Sequence, residues 1–134
     1  MAGTFVTEDI DIIAAALTGD RQAVLKDQLR RIDTEIITRM AINLTTRHAI
    51  HELLAHVRAD QLRIEPLHDG LPEDPLTLRE RLGLQREFRM LVRELSEEQR
   101  SCWHDTQALK AEARLVEKDL LQLKQRDRRL GEFR

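Results

Sequence analysis

Aromatic side chains are nearly missing from this chain: they make up 3% of its 134 residues, and there is no Tyr. A chain this poor in large flat side chains has little from which to build a wide globular core or a sheet, and thin helical cores are the alternative. There is one cysteine, Cys102, so no internal disulfide forms. No stretch approaches the about 20 apolar residues of a membrane span, and the N-terminus lacks a signal-peptide pattern, so the expectation is a cytoplasmic protein that does not insert into membranes. A glycine-rich phosphate loop, a nucleophile elbow and a paired metal-ligand motif are all absent, so the sequence predicts no enzyme, no cofactor and no metal. Proline is scarce and placed with purpose: all three prolines, Pro66, Pro72 and Pro75, fall within ten residues of one another.

Charge, by contrast, is plentiful, at 34% of residues with a net of -2. It is unevenly distributed. Residues 1–20 carry four acids and no base, and the segment 65–75 (EPLHDGLPEDP) repeats that balance. Residues 21–64 and 110–134 each carry eight bases and five acids. The bases alternate with acids, which reads as the solvated flank of a helix rather than the basic face of a nucleic-acid binder.

The apolar residues that remain are periodic. Phe88, Leu95, Cys102, Leu109, Val116, Leu123 and Leu130 recur at a strict seven-residue interval, the mark of a coiled-coil seam. A second row runs Leu29, Ile36, Asn43, Ile50, Val57 and Ile64, flanked by Leu25, Ile32, Met40 and Leu54. These patterns predict an all-α protein forming a single helical domain: a short helix over 7–17 capped by Thr7, a stop at Gly19, a long helix over 20–64, an acidic turn over 65–75, and a long helix over 76–134. Asp74-Pro75 serves as a cap followed by proline in the first turn, with Thr77 to Glu80 as a competing start. Two long amphipathic helices joined by a short turn fold back as an antiparallel hairpin. With Ile64 opposite Leu78, paired residue numbers sum to about 142, and Asn43 meets Gln99 in one polar layer that holds the register. The short first helix, continuing in line, would bring Ile13 and Leu17 over Leu123 and Leu130.

The long helix over 20–64 has a second apolar face. Ile37, Ala41, Leu44, His48, His51, Ala55 and Ala59 repeat at four and three residues, more than 90° around the helix from the first row. One partner helix does not cover both. The first six of these residues are therefore the predicted partner-binding surface. A second copy of the chain is the simplest partner, giving a four-helix core on oligomerisation, and a larger complex is the other option. His51-Glu52-Leu53-Leu54-Ala55-His56 misses the zinc-protease spacing by one residue, since five positions turn the two rings apart. The Glu-x-x-His pattern of helical-bundle metal sites is absent too.

Two functions follow from these features. The first is a protein–protein interaction or assembly protein, such as an adaptor, a chaperone-like binder or a structural subunit, working through an extended helical surface. The second uses Glu65, Asp69, Glu73 and Asp74, which the hairpin would carry at its tip. In outline such a hairpin resembles the stalks of transcript-cleavage factors that enter bacterial RNA polymerase, and that resemblance implies a regulator presenting acidic residues to a partner enzyme. The likeness covers the hairpin alone, and no sequence motif carries it. An outline similarity to the hairpin stalk and chaperone proteins of bacterial secretion systems is equally general.

Overall fold

The computed structural model describes residues 5–64 and 74–132. These form two helices, α1 over Phe5–Ile64 and α2 over Pro75–Glu132, packed against each other as an all-α hairpin. Among the described residues there is no strand, and no helix is long and apolar enough to cross a membrane.

The start of α2 is set by local chemistry. The carbonyl of Asp74 accepts the backbone N–H of Leu78 at 2.9 Å, so Asp74 stands at the N-cap and Pro75 at the first helical position. Proline is suited to that place because its missing N–H would have had no partner there. The alternative start at Thr77 is not used. Ser96 and Gly83 lie inside the helix without interrupting it.

The N-terminal segment departs from expectation. There is no stop at Gly19 and no separate helix over 7–17: α1 runs unbroken from Phe5, and Thr7 lies inside it rather than capping it. Ending one helix and starting another would leave about four carbonyls and four N–H groups without intrahelical partners. Keeping glycine in a helix costs only about 1 kcal/mol relative to alanine. The side chain of Ile13 lies outside the described residues. Leu123 is buried as expected, whereas Leu17 and Leu130 are both more than half exposed.

The chain forms two compact units, Met1–Thr38 with Thr106–Arg134, and Arg39–Asp105. In the first unit Leu25, Ile32, Leu123 and Thr106 are buried, and Gln28, Arg31, Ile32 and Glu35 share a cleft with Glu112 and Val116. In the second, Ile50, Val57 and Leu91 form the core, and Leu54, Leu84, Phe88 and Leu95 pack around them. Among the described residues no large side chain is completely buried; even Val57 keeps 4% of its surface. A two-helix seam is one side chain thick, so every core residue reaches its rim.

The register can be read in the second unit. Asn43 Nδ2 donates to Glu98 Oε1 at 3.3 Å, a pair whose numbers sum to 141 against the expected 142. The polar layer is therefore present, but its partner is Glu98, and Gln99 points to solvent. The inward row of α2 also steps by four twice, Glu98 to Cys102 to Thr106, before resuming at Leu109. Thr106 is buried there, and Asp105 is exposed.

Candidate interaction surface

Arg39 takes the inward place in α1 beside which a reading of apolar residues alone sets Met40. Its Nη1 donates to Glu98 Oε1 at 2.7 Å and its Nε to Asp105 Oδ2 at 2.8 Å. The Arg39 and Glu98 side chains are largely buried in this layer, at 17% and 20% exposure. The hydrogen bond to Glu98, then that to Asp105, raises the Arg39 pKa further above its ordinary value. The Arg39 hydrogen bond in turn holds the Glu98 carboxyl below the usual carboxylate range, with Asn43 assisting. Both residues were missed by a reading that followed apolar residues. The available signal was positional: Leu25, Ile32 and Arg39 form one seven-step row, and Leu84, Leu91 and Glu98 form another. Each row ends in a charge, the two of opposite sign. Arg39 and Glu98 bond to each other across the seam.

The outer face of α1 presents the opposite picture. Ile37 and Leu44 are 68% and 67% exposed, and Ala41, His48, His51, Ala55 and Ala59 are exposed beside them. At 100° per residue these positions stay on one side of a continuous helix, more than a quarter-turn from Ile50 and Val57. Met40 and Leu62 belong with them, at 57% and 66% exposure. The sequence placed Met40 beside the inward row, and Leu62 was overlooked. Its spacing of seven from Ala55 was the signal. Ile37 falls in the first unit, and the residues from Met40 to Leu62 fall in the second.

The histidines on this face remain surface groups. His48 Nε2 lies 3.2 Å from Glu52 Oε1, one helical turn away, with both side chains mostly in solvent. Among the described residues no three His, Cys, Asp or Glu side chains are grouped to hold a metal ion. Cys102 is half-buried in the seam, and Trp103 is 59% exposed with its ring edge-on to His104, centroids 5.2 Å apart.

Of the four acidic turn residues, only Asp74 is described, exposed at the start of α2; Glu65, Asp69 and Glu73 lie outside the described residues. Near that end an open cleft of about 590 Å³ is lined by Asp60, Arg63, Ile64, Glu80, Gly83, Leu84 and Glu87. Asp60 and Arg63 are already paired with each other. The cleft brings together carboxylates, an arginine and aliphatic carbon, with no serine, cysteine or histidine among its lining residues. Compared with known proteins, the chain matches no family model, no curated protein and no solved structure.

Proposed function

We propose that this chain is a non-enzymatic interaction or assembly protein that binds a protein partner through the outer face of α1. The exposure of Ile37 and Leu44 carries this function, with Met40 and Leu62 extending the same apolar surface. Isolated exposed leucines are ordinary, but a run of apolar positions at helical spacing over some seven turns is a surface that gains by being covered. The small side chains of Ala41, Ala55 and Ala59 favour an α-helix as the covering element, because they let a second backbone approach closely.

A comparison of the unchanged chain with a double Ile37→Glu, Leu44→Glu variant tests the proposal. Light scattering at tens of micromolar, together with binding measurements on any co-purifying protein, gives the readout. The unchanged chain associates, and the variant loses that association while its helical circular dichroism stays the same. A chain whose every association survives both substitutions would remove the function from this face.

A further inference from the structure

We propose that one side of the seam in the second unit is a groove for a basic amphipathic helix of a partner protein. The groove shares no residue with the outer face of α1 and does not depend on it. Two clefts mark its course. The one of about 590 Å³ is lined on α1 by Asp60, Arg63 and Ile64. Another, of about 370 Å³, is lined there by Thr46, Ala49 and Ile50, each two heptads earlier. On α2 the same shift turns Glu80, Gly83, Leu84 and Glu87 into Glu94, Glu97, Glu98 and Ser101. The clefts are one arrangement repeated on the same side of the hairpin, about 21 Å apart at 1.5 Å per residue. All of these residues belong to the second unit.

In the heptad between the clefts, Leu53 and Met90 hold the corresponding positions and are 49% and 59% exposed. The other edge of the seam is closed in this layer, because Leu54 and Phe88 pack onto the core. The groove thus has Ile50, Ile64 and Leu84 along its floor, an apolar middle, and room beyond it where Ala49 and Gly83 are small. A small molecule would fill one cleft and need no repeat. A repeat of two heptads suits a partner with the same period, an α-helix lying along the seam as a third member of the bundle.

Charge decides which helix. Every acid of α2 before Ser101 lines one of the two clefts: Glu80, Glu87, Glu94, Glu97 and Glu98. Arg79, Arg86, Arg93 and Arg100 stand about 100° away from the Glu80–Glu94 row around the helix. None of them lines either cleft. Glu98 is held by Arg39 and Asn43. No base stands three or four positions from Glu80, Glu87 or Glu94, so none on α2 neutralises them. Arg63, across the larger cleft, is paired with Asp60. Among the described residues no ion pair reaches these three carboxylates. Acids at seven-residue intervals beside an apolar floor match a helix that carries Lys or Arg at that interval next to its own apolar stripe. A neutral helix would cover the carboxylates without pairing them, at a desolvation cost.

Fluorescence anisotropy of the full chain with a designed peptide tests the groove. The labelled probe is a helix of about three heptads, long enough to span both clefts. It carries leucine at its a and d positions and lysine at e and g; a control carries glutamate in place of lysine. The lysine peptide binds and the glutamate peptide does not. Glu80→Gln, Glu87→Gln and Glu94→Gln together weaken binding about tenfold. Gly83→Leu fills one cleft and weakens binding as well. A β-carbon added there meets nothing within 4 Å, so α2 accepts the change and its circular dichroism stays the same. Ile37→Glu with Leu44→Glu leaves peptide affinity unchanged, which separates the groove from the outer face. Binding indifferent to the three glutamines would overturn the proposal. So would binding that responds to them but not to Gly83→Leu, since attraction by charge alone requires no groove. Light scattering reports on another occupant: self-association abolished by the three glutamines would place a second copy in the groove and overturn the proposal too.

Discussion

The two helices of the hairpin are nearly equal in length, yet they solve different problems. α2 is strongly amphipathic: one row of apolar residues faces α1, while the large apolar side chains left in solvent, among them Leu76, Met90, Trp103, Leu115 and Leu121, are scattered around the helix. α1 is scarcely amphipathic, because its apolar residues lie on two faces whose contributions cancel around the helix. A single helical partner buries one stripe about a quarter of the way around its neighbour. Both helices keep large apolar side chains in solvent, but those of α1 include a surplus at helical spacing on one side, Ile37, Met40, Leu44 and Leu62. The surplus side is rich in alanine and histidine, while the matched side carries Ile50 and Val57. Buried and exposed apolar residues thus lie on opposite faces of one helix.

The largest effect should come from breaking the matched side. Ile50→Ala removes a core side chain that is 6% exposed and packed within the Leu91 cluster. It should cost about 2 kcal/mol, the lower end for such truncations because the seam is thin and its walls can close. Leu44→Ala on the surplus side should change the hairpin's own stability by less than about 0.5 kcal/mol. Urea unfolding of both variants at sub-micromolar concentration, where association does not contribute, measures the contrast. Equal losses would mean that the two faces are not distinct in the way their exposure indicates.

Much of this contrast was legible in the sequence, because a helix converts spacing into direction. The angle between the Ile36–Val57 row and the Ile37–Ala55 row needs no structure to compute. The clustered prolines bounded the turn, and the turn set the register within a residue, since Ile64 and Leu78 are the first positions able to face each other. What escaped were residues where local chemistry and packing disagree. Arg39 and Glu98 are charged, and a search for apolar repeats passes over charge in a core slot. Their mutual pairing, visible only across the seam, is what makes those slots tolerable. Thr106 was hidden by the assumption of a strict heptad, which the four-residue step at Cys102 breaks. Gly19 was taken at its local value as a stop.

The polar layer sharpens the comparison through pH. Glu98 has a folded-state pKa below its ordinary value, chiefly through Arg39, so its contribution is present above that ordinary value. It is lost as the pH falls through the depressed folded value. The melting temperature should therefore drop as the pH is taken from about 6 to about 3. Glu98→Gln should melt lower than the unchanged chain at pH 6 and lose less on acidification, the two curves converging at low pH. Parallel curves would show that Arg39 and Glu98 contribute nothing specific to the seam. Arg39 titrates far above this range and stays charged throughout, so the convergence reports on Glu98.

The smallest expected effect addresses the continuity of α1, on which the reach of both faces depends. A β-carbon added at Gly19 meets nothing within 4 Å, and no left-handed backbone is found there. If α1 passes through this point as one helix, Gly19→Ala replaces a residue of high conformational entropy with the best helix former. It gains about 1 kcal/mol of local stability. Amide exchange at residues 20–24 should slow by about fivefold, with the exchange of residues near Val57 unchanged. A helix stop at Gly19 would give the opposite sign, because alanine resists the left-handed conformation that terminates a helix. Gly83→Ala in α2 is the matched control, since its added β-carbon also meets open space inside an uninterrupted helix. A gain at 83 paired with a loss at 19 would split α1 into the two helices its glycine suggests, and agreement in sign at both positions would make it one.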